Sequence, residues 1–353
     1  MLGAPSYLEL DRQGLLAERI NAAQDILKEC TVCPRMCRVN RYESRRGKCR
    51  TGALPVVSAY HPHFGEEAPL VGRYGSGTIF LTSCNLRCVF CQNWEISHRM
   101  DGAEVSHRRL GEMMVELQGM GCHNINFVTP THMVPQILAA LPYAIDRGLS
   151  IPLAYNTGGY DRVDTLRLLD GVFDIYMPDI KYADPAHSKR YSGAADYPEV
   201  AKAAVREMHR QVGDLVLDGR GIAVRGLLVR HLVMPGGVAG TREVMRFLAR
   251  EISRNTYVNR EVRRNPRPLG RGQGARMQIT RSTLEVEESP PFKAGFFNLM
   301  DQYRPCGAAY RFPEINRPIT AEEFDEALDA AFSEGVNRLD SDAGARFRPR
   351  ERV

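Results

Sequence analysis

Apolar positions along the chain switch between two spacings. Leu15, Leu16, Ile20, Ala23, Ile26 and Leu27 recur at helical intervals, so 14–29 is predicted to be a helix with one buried stripe. The run 78–81, in contrast, is short, apolar and β-rich, and is predicted as a buried strand. Beyond residue 100 the two patterns alternate. A helix is expected from a cap at Ser106 to about Met120, with Leu110, Met113, Met114 and Leu117 on one face, then a strand at 124–129. A helix over 135–147, the strand IPLAYNTGG, a short helix over 163–169 and the strand FDIYMPDIKY follow. A helix over 201–212, the strand RGLLVRHLVMPGG and a helix over 242–252 continue the series. Residues 55–77, rich in Pro and Gly, read as a connecting loop in which His61 and His63 are surface or hydrogen-bonded residues and Glu66 and Glu67 are solvated.

Strands alternating with helices of this length predict an α/β fold of parallel β/α units, a partial or full TIM-like barrel. In such a barrel the chemistry collects at the C-terminal ends of the strands. Polar and turn residues recur at those ends: Thr129-Pro130-Thr131-His132, Asn156-Thr157-Gly158-Gly159, Asp179-Ile180-Lys181 and Met234-Pro235-Gly236-Gly237. The stretch NTYVN at 255–259 starts like a last barrel strand, and NLMDQYRPC reads like its continuation. Between them, 260–297 carries seven Arg and one Lys against four Glu, a net +4, and its composition suits a surface insertion. A last helix, TAEEFDEALDAAFSEG, opens with capping-box spacing between Thr320 and Glu323. The expected organisation is an N-terminal helix and cysteine-rich segment over 1–54, a barrel over 55–335, and a basic, disordered tail over 336–353.

Two groups of cysteines change the picture from scaffold to chemistry. Cys84, Cys88 and Cys91 form C-x₃-C-x₂-C directly after the predicted strand, with Phe90 before the last. Three thiolates on one tight loop suit an iron–sulfur cube, each reaching a different iron and leaving the fourth open. Structural zinc wants four protein ligands, and a disulfide framework does not fit an odd number. Upstream, Cys30, Cys33, Cys37 and Cys49 form C-x₂-C-x₃-C-x₁₁-C and can close a four-thiolate shell around zinc or a second iron–sulfur cluster, with a structural role expected. Cys122, before a strand, reads as a small buried residue, and for Cys306, near the expected rim, a redox or substrate contact is the minority alternative.

At 353 residues with 43% hydrophobic content, the chain can bury one large core or two smaller ones. No run approaches the roughly 18 apolar residues that span a bilayer. MLGAPSYLELDRQ shows no basic region followed by an apolar one, so no signal peptide is expected. Nearly all nine cysteines fall in metal-like clusters or near motif strands, which points to a reducing, cytoplasmic setting. Of the formal net charge of +5, most sits in 260–297, so nucleic acid is not an expected partner of the body.

The C-x₃-C-x₂-C motif at a strand end, with the strands after it, resembles the radical S-adenosylmethionine (SAM) superfamily. Within it, the chain is similar to the branch related to pyruvate formate-lyase activating enzymes, including homologues with a cysteine-rich N-terminus. The resemblance covers roughly 28–259 and 298–335. It implies a 4Fe–4S cluster on Cys84, Cys88 and Cys91 whose open iron chelates S-adenosyl-L-methionine. Reductive cleavage would give methionine and a 5′-deoxyadenosyl radical that takes hydrogen from a substrate: protein, as a glycine in glycyl-radical enzymes, peptide or small molecule. A flavodoxin or ferredoxin would supply the electron. By position, Asn156 and Thr157 resemble residues near the ribose and methionyl parts, and Asp179 and Lys181 match residues at the methionyl end. The Gly-Gly-Glu segment that binds the methionyl amine is replaced by Val128-Thr129-Pro130-Thr131-His132, leaving Thr129 or backbone carbonyls for that role. The competing class is a metal-binding adaptor whose Arg-rich insertion binds nucleic acid or an acidic partner; salt-sensitive binding without cofactor cleavage would mark it.

Overall fold

The computed structural model describes residues 4–44, 47–253, 257–259, 296–336 and 338–339. Its strands are β1 (Val56–His63), β2 (Ser76–Leu81), β3 (Ala103–Glu104), β4 (Ile125–Val128), β5 (Leu153–Thr157) and β6 (Ile175–Pro178). They continue as β7 (Val216–Leu217), β8 (Ala223–Leu232), β9 (Tyr257–Asn259), β10 (Phe296–Met300) and β11 (Arg338–Leu339). The sheet order is β11-β9-β10-β8-β6-β5-β4-β2-β1-β3, with β7 on the side of β8. From β2 through β11 the neighbours along this path are parallel, whereas β1 runs antiparallel to β2 and β3. The two ends do not meet, so the expected barrel is a partial one.

The helices are α1 (Ser6–Arg12), α2 (Leu15–Ile26), α3 (Ala68–Val71), α4 (His107–Gly119) and α5 (Val134–Ile145). After them come α6 (Val163–Leu168), α7 (Pro185–Ser192), α8 (Tyr197–Val212), α9 (Thr241–Phe247) and α10 (Ala321–Ser333). Ser106 caps α4 by accepting from the Arg109 amide at 3.1 Å, and its predicted stripe is buried. α5 is apolar nearly all round because it lies between α2 and α4, with Gln24 donating to the Pro135 carbonyl at 2.9 Å. The Thr320–Glu323 capping box is complete. α8 starts four residues before its expected origin, at Tyr197, with Pro198 in its first turn where a missing N–H costs nothing. Among the described residues no helix is long and apolar enough to cross a membrane.

Three expectations need correction. Residues 55–77 are not a plain loop: 56–63 form β1 and 68–71 form α3. β3 covers only Val56 and Val57, so one side of Pro62 is an open edge, where proline is tolerated. Second, 255–259 and 298–306 are not one interrupted strand, since β9 and β10 lie side by side in parallel. Parallel neighbours require a crossover connection; the basic 260–295 occupies that position and lies outside the described residues. Third, the tail is not wholly without structure, because Arg338 and Leu339 pair with β9; the remainder of 340–353 lies outside the described residues.

The connection from β1 to β2 positions the site. His63 pairs with Ser76, so this connection sits at the N-terminal end of β2. There Leu70 of α3 joins Ala154, Ile175, Met177, Leu215, Ala223 and Leu228 in an apolar plug, and Asn124 donates to the Leu70 carbonyl at 2.9 Å. The plug carries Glu66 and Glu67 into the interior of the half-barrel.

Candidate active site

β2 stops at Leu81, and the next ten residues form the loop that carries three thiols. Its turns use Ser83 and Arg87 with φ of +76° and +56°, a conformation that non-glycine residues adopt only when the surroundings impose it. The surroundings are visible. Ser83 donates its amide to the Ile96 carbonyl at 2.9 Å and its hydroxyl to the Cys49 carbonyl at 2.5 Å. Each thiol has its own donor. The Leu86 amide points to Cys84 Sγ at 3.4 Å, the Ser192 hydroxyl to Cys88 Sγ at 3.0 Å, and the Ser97 hydroxyl to Cys91 Sγ at 3.2 Å. Phe90 is buried against Tyr182 and Tyr303, with ring centroids 6.2 and 5.9 Å away, and anchors the loop from behind.

All three thiols line one cavity of about 530 Å³. Burial pushes the Cys88 thiol up to about 12 and raises Cys91 as well, so metal uptake here must displace protons. Among the described residues no three His, Cys, Asp or Glu side chains are placed to hold one metal ion. Three spaced thiols around a roomy cavity, each with a hydrogen-bond donor for a charged sulfur, suit a cube of four irons rather than a single ion.

The opposite wall of this cavity is ionic. Asp179, just past β6, accepts from Lys181 Nζ at 2.5 Å and from Arg230 Nε at 2.8 Å. Arg230, from β8, also donates to Asn156 Oδ1 at 2.7 Å and lies 3.4 Å from Glu66 and 3.8 Å from Glu67. Asn156 returns a hydrogen bond to Glu66 at 3.3 Å. Burial opposes the charge on Asp179, yet Arg230 and Lys181 outweigh it and hold its carboxyl below the usual range. Burial likewise opposes the charge on Lys181, and Asp179 with Cys88 more than restores it. Glu66 goes the other way: burial and the neighbouring Glu67 raise it to about 7, against the pull of Arg230. The expectation that Glu66 and Glu67 are solvated is therefore overturned, their side chains being 8% and 6% exposed.

The other expected residues divide. Thr129 lines the cavity with φ of +60°, an outlier for a β-branched residue, held by its amide on the Asn156 carbonyl at 2.8 Å. Thr157 also lines it, but its hydroxyl donates to Asp161 at 2.6 Å and lies 2.9 Å from Thr131, so it braces the β5 loop. Met234–Gly237 stay away from the cavity; the Gly236 amide donates to Glu323 at the start of α10. Cys122 is buried as expected, and Cys306 is half-buried outside the cavity lining. Sequence reasoning missed Tyr197, whose hydroxyl accepts from the Lys181 amide at 2.9 Å and lies 2.9 Å from the Gly158 carbonyl, knitting the β5 and β6 ends together. Gly159 lies in the same seam at φ +77°, and a Cβ there would sit 2.3 Å from the Asp179 carbonyl oxygen. Gly159→Ala is expected to cost at least ~2 kcal/mol by urea titration, from strain at that φ and displacement of the 179–181 segment.

Cys30, Cys33, Cys37 and Cys49 are gathered around a separate cavity of about 10 Å³. Met36 and Arg38 take φ of +40° and +54°, forming the tight knuckle between them. His132 lines the same cavity, with Nε2 on the Thr82 carbonyl at 2.9 Å and no hydrogen-bond partner at Nδ1 among the described residues. Buried Arg41 spends its guanidinium on Thr51, Gly52 and the His132 carbonyl. Arg35 reaches from the knuckle to the carbonyls of Asn85, Leu86, Ser192 and Gly193, and so clamps the three-thiol loop from outside the cavity.

Two comparisons bear on this arrangement. Residues 78–220, the stretch holding the three-thiol loop and the Asp179–Lys181 wall, match the Radical SAM superfamily. The chain is also similar to an uncharacterized protein of Methanocaldococcus jannaschii (MJ0674), 29% identical over 337 residues, which cover 92% of this chain and 80% of that protein. Three thiols face an ionic wall across one cavity at the strand ends, and over 78–220, the stretch that holds both, the chain is similar to the radical SAM superfamily.

Proposed function

We propose that the 530 Å³ cavity is where this radical SAM enzyme cleaves S-adenosylmethionine, with a 4Fe–4S cluster on Cys84, Cys88 and Cys91. The observation that carries the reading is the shared cavity: three donor-supported thiols face an ionic wall able to grip a zwitterion. When bound, cluster and S-adenosylmethionine together supply a one-electron cleavage that leaves a carbon radical able to take hydrogen from substrate. The chain's own residues do the rest. Lys181, held charged by Asp179, offers a point charge to the methionyl carboxylate. Asp179 and the Thr129 backbone offer acceptors to the methionyl ammonium, filling the role left by the absent Gly-Gly-Glu segment. Asn156, its amide held by Arg230 and Glu66, faces the ribose side, and Thr157 braces the β5 loop through Asp161. Leu86, Phe90 and Leu232 line the cavity and exclude water from the reacting centre.

Resemblance to pyruvate formate-lyase activating enzymes supports a substrate held by its backbone, such as a protein glycine. Exposed Gln92, Asn93 and Arg304 on the cavity lining give such a segment polar partners. A low-potential flavodoxin or ferredoxin donor and a cytoplasmic setting complete the reading. The test is anaerobic reconstitution with iron and sulfide, followed by S-adenosylmethionine and reductant. 5′-Deoxyadenosine in the product supports it, and a preparation that binds only zinc would sink it.

The Cys30–Cys49 group we assign to a second, structural metal centre, zinc or iron–sulfur, whose loading must draw these thiols closer together. Cys33→Ala is expected to lower bound metal by one centre in elemental analysis and to weaken the Arg35 clamp. The clamp is read as faster proteolysis within 82–91. Unchanged metal content in the variant would remove the second centre.

A further inference from the structure

Three cations stand on the two cysteine loops without an acidic partner among the described residues, Lys48 at the edge of the four-cysteine cavity. Lys48 and Arg50 flank Cys49 and are exposed, and Arg87 lies between Cys84 and Cys88, partly exposed. None of the three forms an ion pair among the described residues, whereas other exposed cations there do, such as Arg38 with Glu29 and Lys28 with Asp25. They sit close enough to repel: besides burial, Arg35 and Arg87 depress Lys48, and Arg50 depresses Arg87. His98 lies in the same field. Burial first, then Arg87, Arg50 and Lys48, bring it down to about 4, so it stays neutral and stacks on Trp94 with ring centroids 3.6 Å apart. A like-charge cluster left unpaired on a surface costs folding energy and raises the local concentration of anionic partners.

We propose that Lys48, Arg50 and Arg87 form the docking surface for an acidic, low-potential electron-transfer protein. The placement selects this partner over an anionic substrate. Lys48, Arg50 and Arg87 do not line the 530 Å³ cavity, so a molecule bound on them does not enter it. Yet Arg87 stands between Cys84 and Cys88, the Lys48 amide donates to Cys37 Sγ at 3.3 Å, and the Ser83 hydroxyl on the Cys49 carbonyl joins the two loops, so a partner seated there is next to both cysteine groups. A substrate must reach the cavity; an electron donor need only approach the cluster from behind. One electron passes from the reduced donor to the oxidised cluster, the donor ending one electron poorer, with no bond made or broken. Such encounters are small and transient, and steering charges set their rate. The inference rests on the cluster assignment made above.

The experiment follows reduction of the reconstituted cluster by stopped-flow absorbance, with reduced flavodoxin as the acidic donor and reduced methyl viologen as a small cationic one. Iron and sulfide are quantified beforehand; a chain with no cluster fails the proposed function and this inference together. Lys48→Glu with Arg50→Glu is expected to slow flavodoxin-driven reduction at least tenfold at low salt and to abolish the salt dependence seen in the wild type. Viologen-driven reduction should be equal or faster in that variant. Lys202→Glu, on α8, should match the wild type with both donors. Equal flavodoxin rates in wild type and double variant would overturn the inference. So would loss of viologen-driven reduction, because the cations would then be serving the cluster and not a partner.

Discussion

Alanine at Cys84, Cys88 or Cys91 is expected to abolish 5′-deoxyadenosine formation while the chain stays folded. The asymmetry follows from what each thiol does. Without metal, these are small, mostly buried groups whose hydrogen-bond partners are side-chain hydroxyls and one amide, so losing one thiol costs only about 1 kcal/mol of packing. In the proposed cluster each thiolate would be the sole protein ligand to one iron, and two thiolates would not hold a cube whose fourth corner must remain open. Chromatographic assay of 5′-deoxyadenosine and far-UV circular dichroism, run together, check both halves. Cys122→Ala, also buried but remote from the cavity, should keep full activity, as should Cys306→Ala unless its thiol meets substrate. Retained cleavage in Cys84→Ala would remove the three-thiol loop from the reaction.

What the sequence disclosed, and what it withheld, divides along one physical line. Local pattern carried the parallel β/α rhythm, the Ser106 and Thr320 caps and the three-thiol loop, because periodicity, capping and ligand spacing are set by residues a few positions apart. The ionic wall was half legible. Asp179 and Lys181 stand at a strand end and were singled out, whereas Arg230 lies inside the apolar run LLVRHLV and passed as part of a strand. A charge within a buried strand is itself a signal, since such a residue is buried only when paired. Glu66 was read as solvated because its partner is 164 residues further along the chain, and no local feature names that partner. Thr157 shows the converse. Its position suggested the cofactor, but the hydroxyl is spent on Asp161, and sequence cannot tell which way a side chain at a loop start turns. β1 was hidden by Pro62 and the glycines after it, which read as loop until the open edge of the strand is seen.

Arg230→Met is the substitution expected to cost the most stability, about 3–5 kcal/mol at pH 8. In the native chain this guanidinium, 15% exposed, faces Asp179, Glu66 and Glu67 and also holds Asn156. Methionine fills much of the volume but leaves three buried carboxyls facing, among the described residues, Lys181 in place of two cations. Asp179 and Glu66 then shed charge by taking up protons. Arg230 is the first attractive charge on Asp179, so without it the Asp179 carboxyl rises from its depressed position, and Glu66 rises further above its native value of about 7. The sign follows. A carboxyl whose folded-state value lies above its unfolded one binds more protons when folded, so its contribution to stability falls as pH rises between the two values. The deficit of the variant should therefore be smaller at pH 5 than at pH 8, as read by urea titration at both. Asp179→Asn added to Arg230→Met removes one stranded carboxyl and should recover part of the loss at pH 8 and little at pH 5. A deficit of the same size at both pH values, untouched by Asp179→Asn, would mean that Arg230 stabilises the half-barrel through packing and not through its charge.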